Sequence, residues 1–89
     1  MIVNFDRSFS KSLDKLTNKL IREKIQNAII KLEQAKSLND LTGVKAMKGH
    51  QGFYRLRIGD YRLGFELTAP GELLLILVAH RKDIYKRFP

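Results

Sequence analysis

The chain has 89 residues, 44% of them hydrophobic and 29% charged, and carries a formal net charge of +8. That length predicts one small domain with a single modest core, and the charge points to an anionic partner, either nucleic acid or an acidic protein. With no cysteine, disulfides and thiolate metal sites are excluded and a reducing compartment is compatible.

No segment approaches the ~18 consecutive apolar residues that cross a bilayer. The start of the chain lacks the apolar region of a signal peptide. A cytoplasmic protein with no membrane partner is therefore expected.

Ile2-Val3-Asn4-Phe5 reads as an opening strand, followed by Asp6 and Ser8 as candidate helix N-caps. Phe9, Leu13, Leu16 and Leu20 recur at spacings of four, three and four, which marks one apolar helical face. Thr17-Asn18 predicts a break, because both residues favour caps and turns over helix interiors. A second helix then gathers Ile21, Ile25, Ala28, Ile29, Leu32 and Ala35 on one face. Residues 36–52 read as a connector rich in turn formers, among them Asp40, Gly43, Gly49 and Gly52. Leu38, Leu41, Val44 and Met47 are expected to dip into the edge of the core. Lys45, Lys48 and His50 either extend a positive surface or sit on a solvated loop.

The most informative stretch is Phe53-Tyr54-Arg55-Leu56-Arg57-Ile58-Gly59-Asp60-Tyr61-Arg62-Leu63-Gly64-Phe65. Two runs of alternating apolar and polar residues flank Gly59-Asp60, a two-residue hairpin signal. The predicted register puts Tyr54, Leu56 and Ile58 on one face with Tyr61, Leu63 and Phe65. Arg55, Arg57 and Arg62 share the other face, and Arg57 falls opposite Arg62. Like charges opposed across a sheet are destabilising, so this face is expected to hold an anion.

Thr68-Ala69-Pro70-Gly71 is a turn of type II chemistry. Glu72 to Ala79 is nearly all apolar and predicts a central strand buried on both faces. The basic tail, His80-Arg81-Lys82-Asp83-Ile84-Tyr85-Lys86-Arg87-Phe88-Pro89, predicts one or two helical turns capped near Asp83. The fold class is α+β: an N-terminal strand, a helical hairpin on one sheet face, an antiparallel three-stranded meander and a short C-terminal helix.

Cys–His pairs, two-His metal patterns and Gly-rich phosphate loops are absent. Chemistry would run on Arg, Lys, Tyr and His80. If residues 82–88 are helical, Arg81 and Tyr85 project to one side, and the end of the last strand could bring both to the arginine face. Packing of the tail is the plain alternative for Tyr85, and an ion pair with Asp83 is the plain alternative for Arg81. Tyr54 and Tyr61 face the core by parity.

With its helical hairpin, the hairpin of residues 53–62 and the ending His80-Arg81-Lys82-Asp83-Ile84-Tyr85, the chain resembles the RelE/ParE superfamily of toxins from toxin–antitoxin pairs, in its RelE-like branch. The resemblance covers nearly all of 1–89, implying a single RelE-like toxin domain. It implies a ribosome-dependent mRNA endonuclease, or mRNA interferase, whose catalytic residues are Arg55, Arg57, Arg62, Arg81 and Tyr85. Lys45, Lys48, His80 and Lys82 would contact RNA. The implied reaction is attack of a 2′-OH on its adjacent phosphate, with no metal or other cofactor. Arg62 and Arg81 would hold the phosphate, and Tyr85 would orient or deprotonate the nucleophile or stack on a base. RelE toxins often carry lysines where this chain has Arg55 and Arg57. Arginine stays protonated, so these two are expected to stabilise charge, with His80 a candidate for moving the proton. The implied partners are mRNA on the ribosome and an acidic antitoxin. The alternative on the same fold is a ParE-like inhibitor of DNA gyrase without nuclease chemistry.

Overall fold

The computed structural model describes residues 1–89. In chain order it comprises β1 (Ile2–Phe5), α1 (Arg7–Asp14), α2 (Lys19–Gln34), a 3₁₀ turn (Leu38–Asp40), β2 (Val44–Ala46), β3 (Phe53–Ile58), β4 (Tyr61–Ala69), β5 (Glu72–His80) and α3 (Ile84–Arg87). The strands form one five-stranded sheet in the order β1-β5-β4-β3-β2. β1 runs parallel to β5, and the other three pairings are antiparallel.

The meander β3-β4-β5 matches the expected architecture, and its first turn has the expected register, with Ile58 opposite Tyr61 and Arg57 opposite Arg62. Gly59 takes φ +58, the left-handed conformation that a turn of this kind needs at its first central position. The connector departs from expectation. Residues 44–46 leave it to form β2, a strand too short and too closely flanked by glycines to announce itself. It exists because β3 supplies a partner, with Val44 opposite Leu56, Lys45 opposite Arg55 and Ala46 opposite Tyr54.

α1 and α2 pack on one sheet face, as their apolar stripes require. Asp6 caps α1 by accepting from the Ser8 N–H at 3.0 Å, and Asn18 caps α2 by accepting from the Ile21 N–H at 3.1 Å. Thus the predicted break at Thr17-Asn18 is a helix start, while Ser8 lies inside α1. Phe9, Ile25 and Leu32 from the helices close over Leu56, Ile58, Leu63, Phe65, Leu73, Leu75 and Val78. Each such side chain, fully buried, stabilises the fold by about 1.5–3 kcal/mol.

A second, smaller core lies on the opposite sheet face. There Ile84 and Phe88 of the tail pack with Met47, Leu77 and Ala79. The last strand therefore feeds both cores, as its unbroken apolar run predicted. It manages this through a β-bulge: Gly64 pairs with Leu77 but Phe65 pairs with Leu75, leaving Ile76 as the extra residue. Two α1 hydroxyls lie against the bulged backbone. Ser8 Oγ shares its single proton between the Asp6 carboxylate and the Ile76 carbonyl, 2.6 Å away, and Ser12 Oγ accepts from the Val78 N–H at 3.1 Å.

Candidate nucleic-acid interface

Strand alternation makes the face opposite α1 and α2 basic. Lys45, Arg55, Gly64 and Leu77 form one row across β2, β3, β4 and β5, and Arg57, Arg62 and Ala79 form the next. Arg81 begins a third row, its N–H donating to the Asp60 carbonyl at 2.8 Å. Rows two residues apart are separated by about 6.8 Å, which sets the backbone spacing between the Arg62 and Arg81 rows.

The bulge is what directs Arg81. Residues 73 and 75 face the helices, and unbroken alternation would send 77, 79 and 81 the same way. The extra residue at Ile76 reverses the parity, so Leu77 and Ala79 lie on the arginine side instead, and the same alternation assigns Arg81, one residue past β5, to that side. Arg81 precedes α3, which starts only at Ile84, so the expected helical spacing of Arg81 and Tyr85 does not hold. The strand ladder delivers Arg81, and the tail separately delivers Tyr85. α3 is a single turn with Asp83 at its N-cap position, but the Asp83 side chain makes no capping hydrogen bond.

Tyr85 is held at the arginine face by its neighbours. The Arg55 Cζ lies 5.3 Å from the centroid of the Tyr85 ring, a cation–π contact worth ~0.5–1 kcal/mol at an exposed site. Tyr85 nevertheless stays 62% exposed, which leaves its ring and hydroxyl open to a ligand. Three residues on, Phe88 is buried and packs edge-on to Phe53, with ring centroids 5.9 Å apart. Phe88 lies directly over Gly64, where a Cβ would come within 2.6 Å of the ring. Sequence reading assigned no role to Gly64 or Phe88. The signal was a glycine inside a strand, which marks close approach of another group.

The other site candidates divide. Lys45 joins the basic face opposite Arg55, and Lys82 is exposed in the turn carrying Arg81. Lys48 and His50 are exposed in the turn between β2 and β3. His80 is not brought to the arginines. It pairs with Tyr61 on the helix side of the sheet, their rings edge-to-face at 5.5 Å, and its Nδ1 accepts from the Lys82 N–H at 3.2 Å. That placement suits support of the turn rather than proton transfer. Tyr54 and Tyr61 are partly buried against the larger core, as parity predicted.

Arg62 is also fixed from below. Its Nη1 donates to the carbonyls of Gly59 and Tyr61, each at 2.9 Å. Arg57 stands exposed beside it. The result is a preorganised positive surface with one exposed phenol at its edge.

Residues 3–85 match the family model described as the ParE toxin of the type II toxin–antitoxin system parDE. This chain belongs to that family. Within the wider RelE/ParE group it is 38% identical over 90 residues to Toxin RelE3 of Methanocaldococcus jannaschii, covering 100% of both chains. The toxin fold also matches a RelB-RelE antitoxin–toxin complex from Methanococcus jannaschii, with a TM-score of 0.79 and 34% identity over 97% of this chain and 99% of that one. A more distant match in fold is the intact Escherichia coli RelBE complex, with a TM-score of 0.66 and 20% identity over 89% of this chain and 94% of that one. The protein is thus a RelE-type toxin of a toxin–antitoxin system.

Proposed function

We propose that this toxin is a ribosome-dependent mRNA endonuclease. The observation that supports the reading is the basic sheet face: strand parity puts Arg55, Arg57 and Arg62 on it and the docked tail sets Tyr85 against Arg55, while the β5 bulge gives the parity by which Arg81 joins them. Binding alone would not require an exposed phenol beside that arginine row.

In the proposed reaction the 2′-hydroxyl attacks the adjacent phosphorus. The 2′-O–P bond forms and the P–O5′ bond breaks, leaving a 2′,3′-cyclic phosphate and a 5′-OH. The 2′-hydroxyl gives up its proton to solvent water, and the departing 5′ oxygen takes one up from solvent water. Arg62 and Arg81 hold the phosphate and stabilise the charge that develops on it. Arg57 adds charge from the same row as Arg62. Tyr85 orients the 2′-hydroxyl or stacks on a neighbouring base. Protonated arginines stabilise charge but do not accept protons, so much of the acceleration comes from positioning. The ribosome supplies that positioning by presenting the message.

An acidic antitoxin of the RelB type is the proposed protein partner, since two of the solved relatives are RelB complexes and the basic face suits an acidic segment. A second reading comes from the matching family model, whose description names ParE. On that reading the chain would block DNA gyrase without cutting RNA. Primer extension on a defined mRNA in a translation extract separates the two. New 5′ ends that need ribosomes support the nuclease, and intact message during growth arrest supports the gyrase reading.

A further inference from the structure

The basic surface does not end at the arginine face. A groove of about 820 Å³ runs between α2 and the end of β3, and its charged lining is Lys24, Lys31, Lys36 and Arg57 against a single carboxylate, Asp40. That carboxylate is already engaged, its Oδ2 accepting from the N–H groups of Lys36 and Ser37 at 3.0 and 3.3 Å. Lys24 and Lys31 lie two helical turns apart, spreading charge over about 10.5 Å. The groove joins the arginine face at the hairpin turn. Lys24 Nζ comes within 3.9 Å of where a Cβ on Gly59 would sit, and the Gly59 carbonyl accepts from Arg62.

We propose that this groove is the continuation of the RNA track, binding the ribose–phosphate backbone of the strand whose scissile phosphate lies at Arg62 and Arg81. The inference rests on the nuclease reading above and adds to it a second binding stretch. Two features favour RNA over an acidic protein segment. Only five of the 14 lining residues are hydrophobic, a poor seat for an amphipathic helix. The groove also shares Arg57 with the arginine face, where Arg57 pairs with Arg62, so the two basic surfaces meet as a backbone track requires.

The test is binding of a fluorescein-labelled 12-nucleotide oligouridylate, followed by anisotropy over a series of salt concentrations. A triple variant, Lys24→Gln, Lys31→Gln and Lys36→Gln, is compared with a control of equal net charge, Lys11→Gln, Lys15→Gln and Lys19→Gln. All six lysines are exposed, so both variants are expected to fold. Each lost phosphate contact lowers the slope of log K against log salt by ~0.7 for a single strand. The groove variant should therefore lose about 2 from that slope, and the control variant little. Equal losses in both variants would reduce the effect to net charge and overturn the proposal. An unchanged RNA slope with weakened binding of a poly-glutamate peptide would assign the groove to a protein partner, which also overturns it. Ribosome-dependent cleavage by the wild-type toxin reports separately on the nuclease reading, so the two failures are distinguishable.

Discussion

The Ser12 hydroxyl accepts the Val78 N–H at 3.1 Å, and this bond from α1 pins the bulge that turns Arg81 toward the other arginines. The same hydroxyl donates to the Phe9 carbonyl at 2.8 Å, so the buried Ser12 both donates and accepts. Removing it orphans a buried backbone donor, which costs about 1–3 kcal/mol. Ser12→Ala should lower the urea-unfolding free energy by that amount. It should also weaken toxicity more than a stability-matched core variant such as Ile25→Val, because the register that aims Arg81 loses its support. Equal toxicity in the two variants would confine Ser12 to a structural role.

Gly64 is required by the tail rather than by its own conformation. A Cβ there would meet three ring atoms of Phe88 at 2.6–2.8 Å. Gly64→Ala should expel Phe88 and with it the docked turn that holds Tyr85 on Arg55. Hydrogen exchange at residues 84–88 should rise sharply while the amides of β4 and β5 near Leu63 and Val78 stay protected. A tail that remains protected would contradict the socket.

Arg57 and Arg62 face one another across β3 and β4, an arrangement that costs stability and that the proposed function turns to binding. Replacing one like charge with a residue suited to a strand should stabilise the sheet by about 0.2–1 kcal/mol. Arg57→Thr is therefore expected to raise the unfolding midpoint and to reduce RNA binding. A lower midpoint would mean that the guanidinium packs favourably where it stands.

Acid should weaken the cap of α1. The Asp6 carboxyl is held below the usual carboxylate range, chiefly by the Ser8 hydroxyl and then by the Ser8 N–H, with Arg7 adding a smaller electrostatic pull. A depressed folded-state pKa means stability that is present above the ordinary value of 3.8 and is lost as pH falls through the folded value. Asp6→Asn keeps an N-cap oxygen but cannot titrate. Unfolding midpoints measured at neutral pH and at about pH 3 should fall less in Asp6→Asn than in the wild type. Equal falls would place the acid sensitivity elsewhere.

The hairpin register was legible because period-two alternation around Gly59-Asp60 leaves one pairing that buries Leu56, Leu63 and Phe65 together. The Asp6 cap was legible because a side-chain oxygen stands just ahead of an apolar helical stripe, whereas Asn18, read only as a break, is the cap of α2. The bulge at Ile76 was not. Every residue from Leu73 to Val78 is apolar, so the pattern carries no parity, and the serines that pin it lie more than 60 residues earlier in the chain. β2 was missed because its pairing with β3, not its own propensity, makes it a strand. His80 followed from the bulge as well, since the same shift that sends Arg81 to the arginines sends its neighbour to Tyr61.

In the proposed reaction Arg81 holds the scissile phosphate while Tyr85 orients the 2′-hydroxyl, and primer extension in a translation extract tests that pairing most directly. Wild-type toxin should produce 5′ ends inside the reading frame only when ribosomes are present. Arg81→Ala and Tyr85→Phe, each folded and still bound by antitoxin, should each reduce cleavage by roughly 100- to 1,000-fold, the loss expected when one preorganised stabilising group is removed. Full cleavage by both variants, or an intact message with the wild-type toxin while growth still stops, would contradict the account.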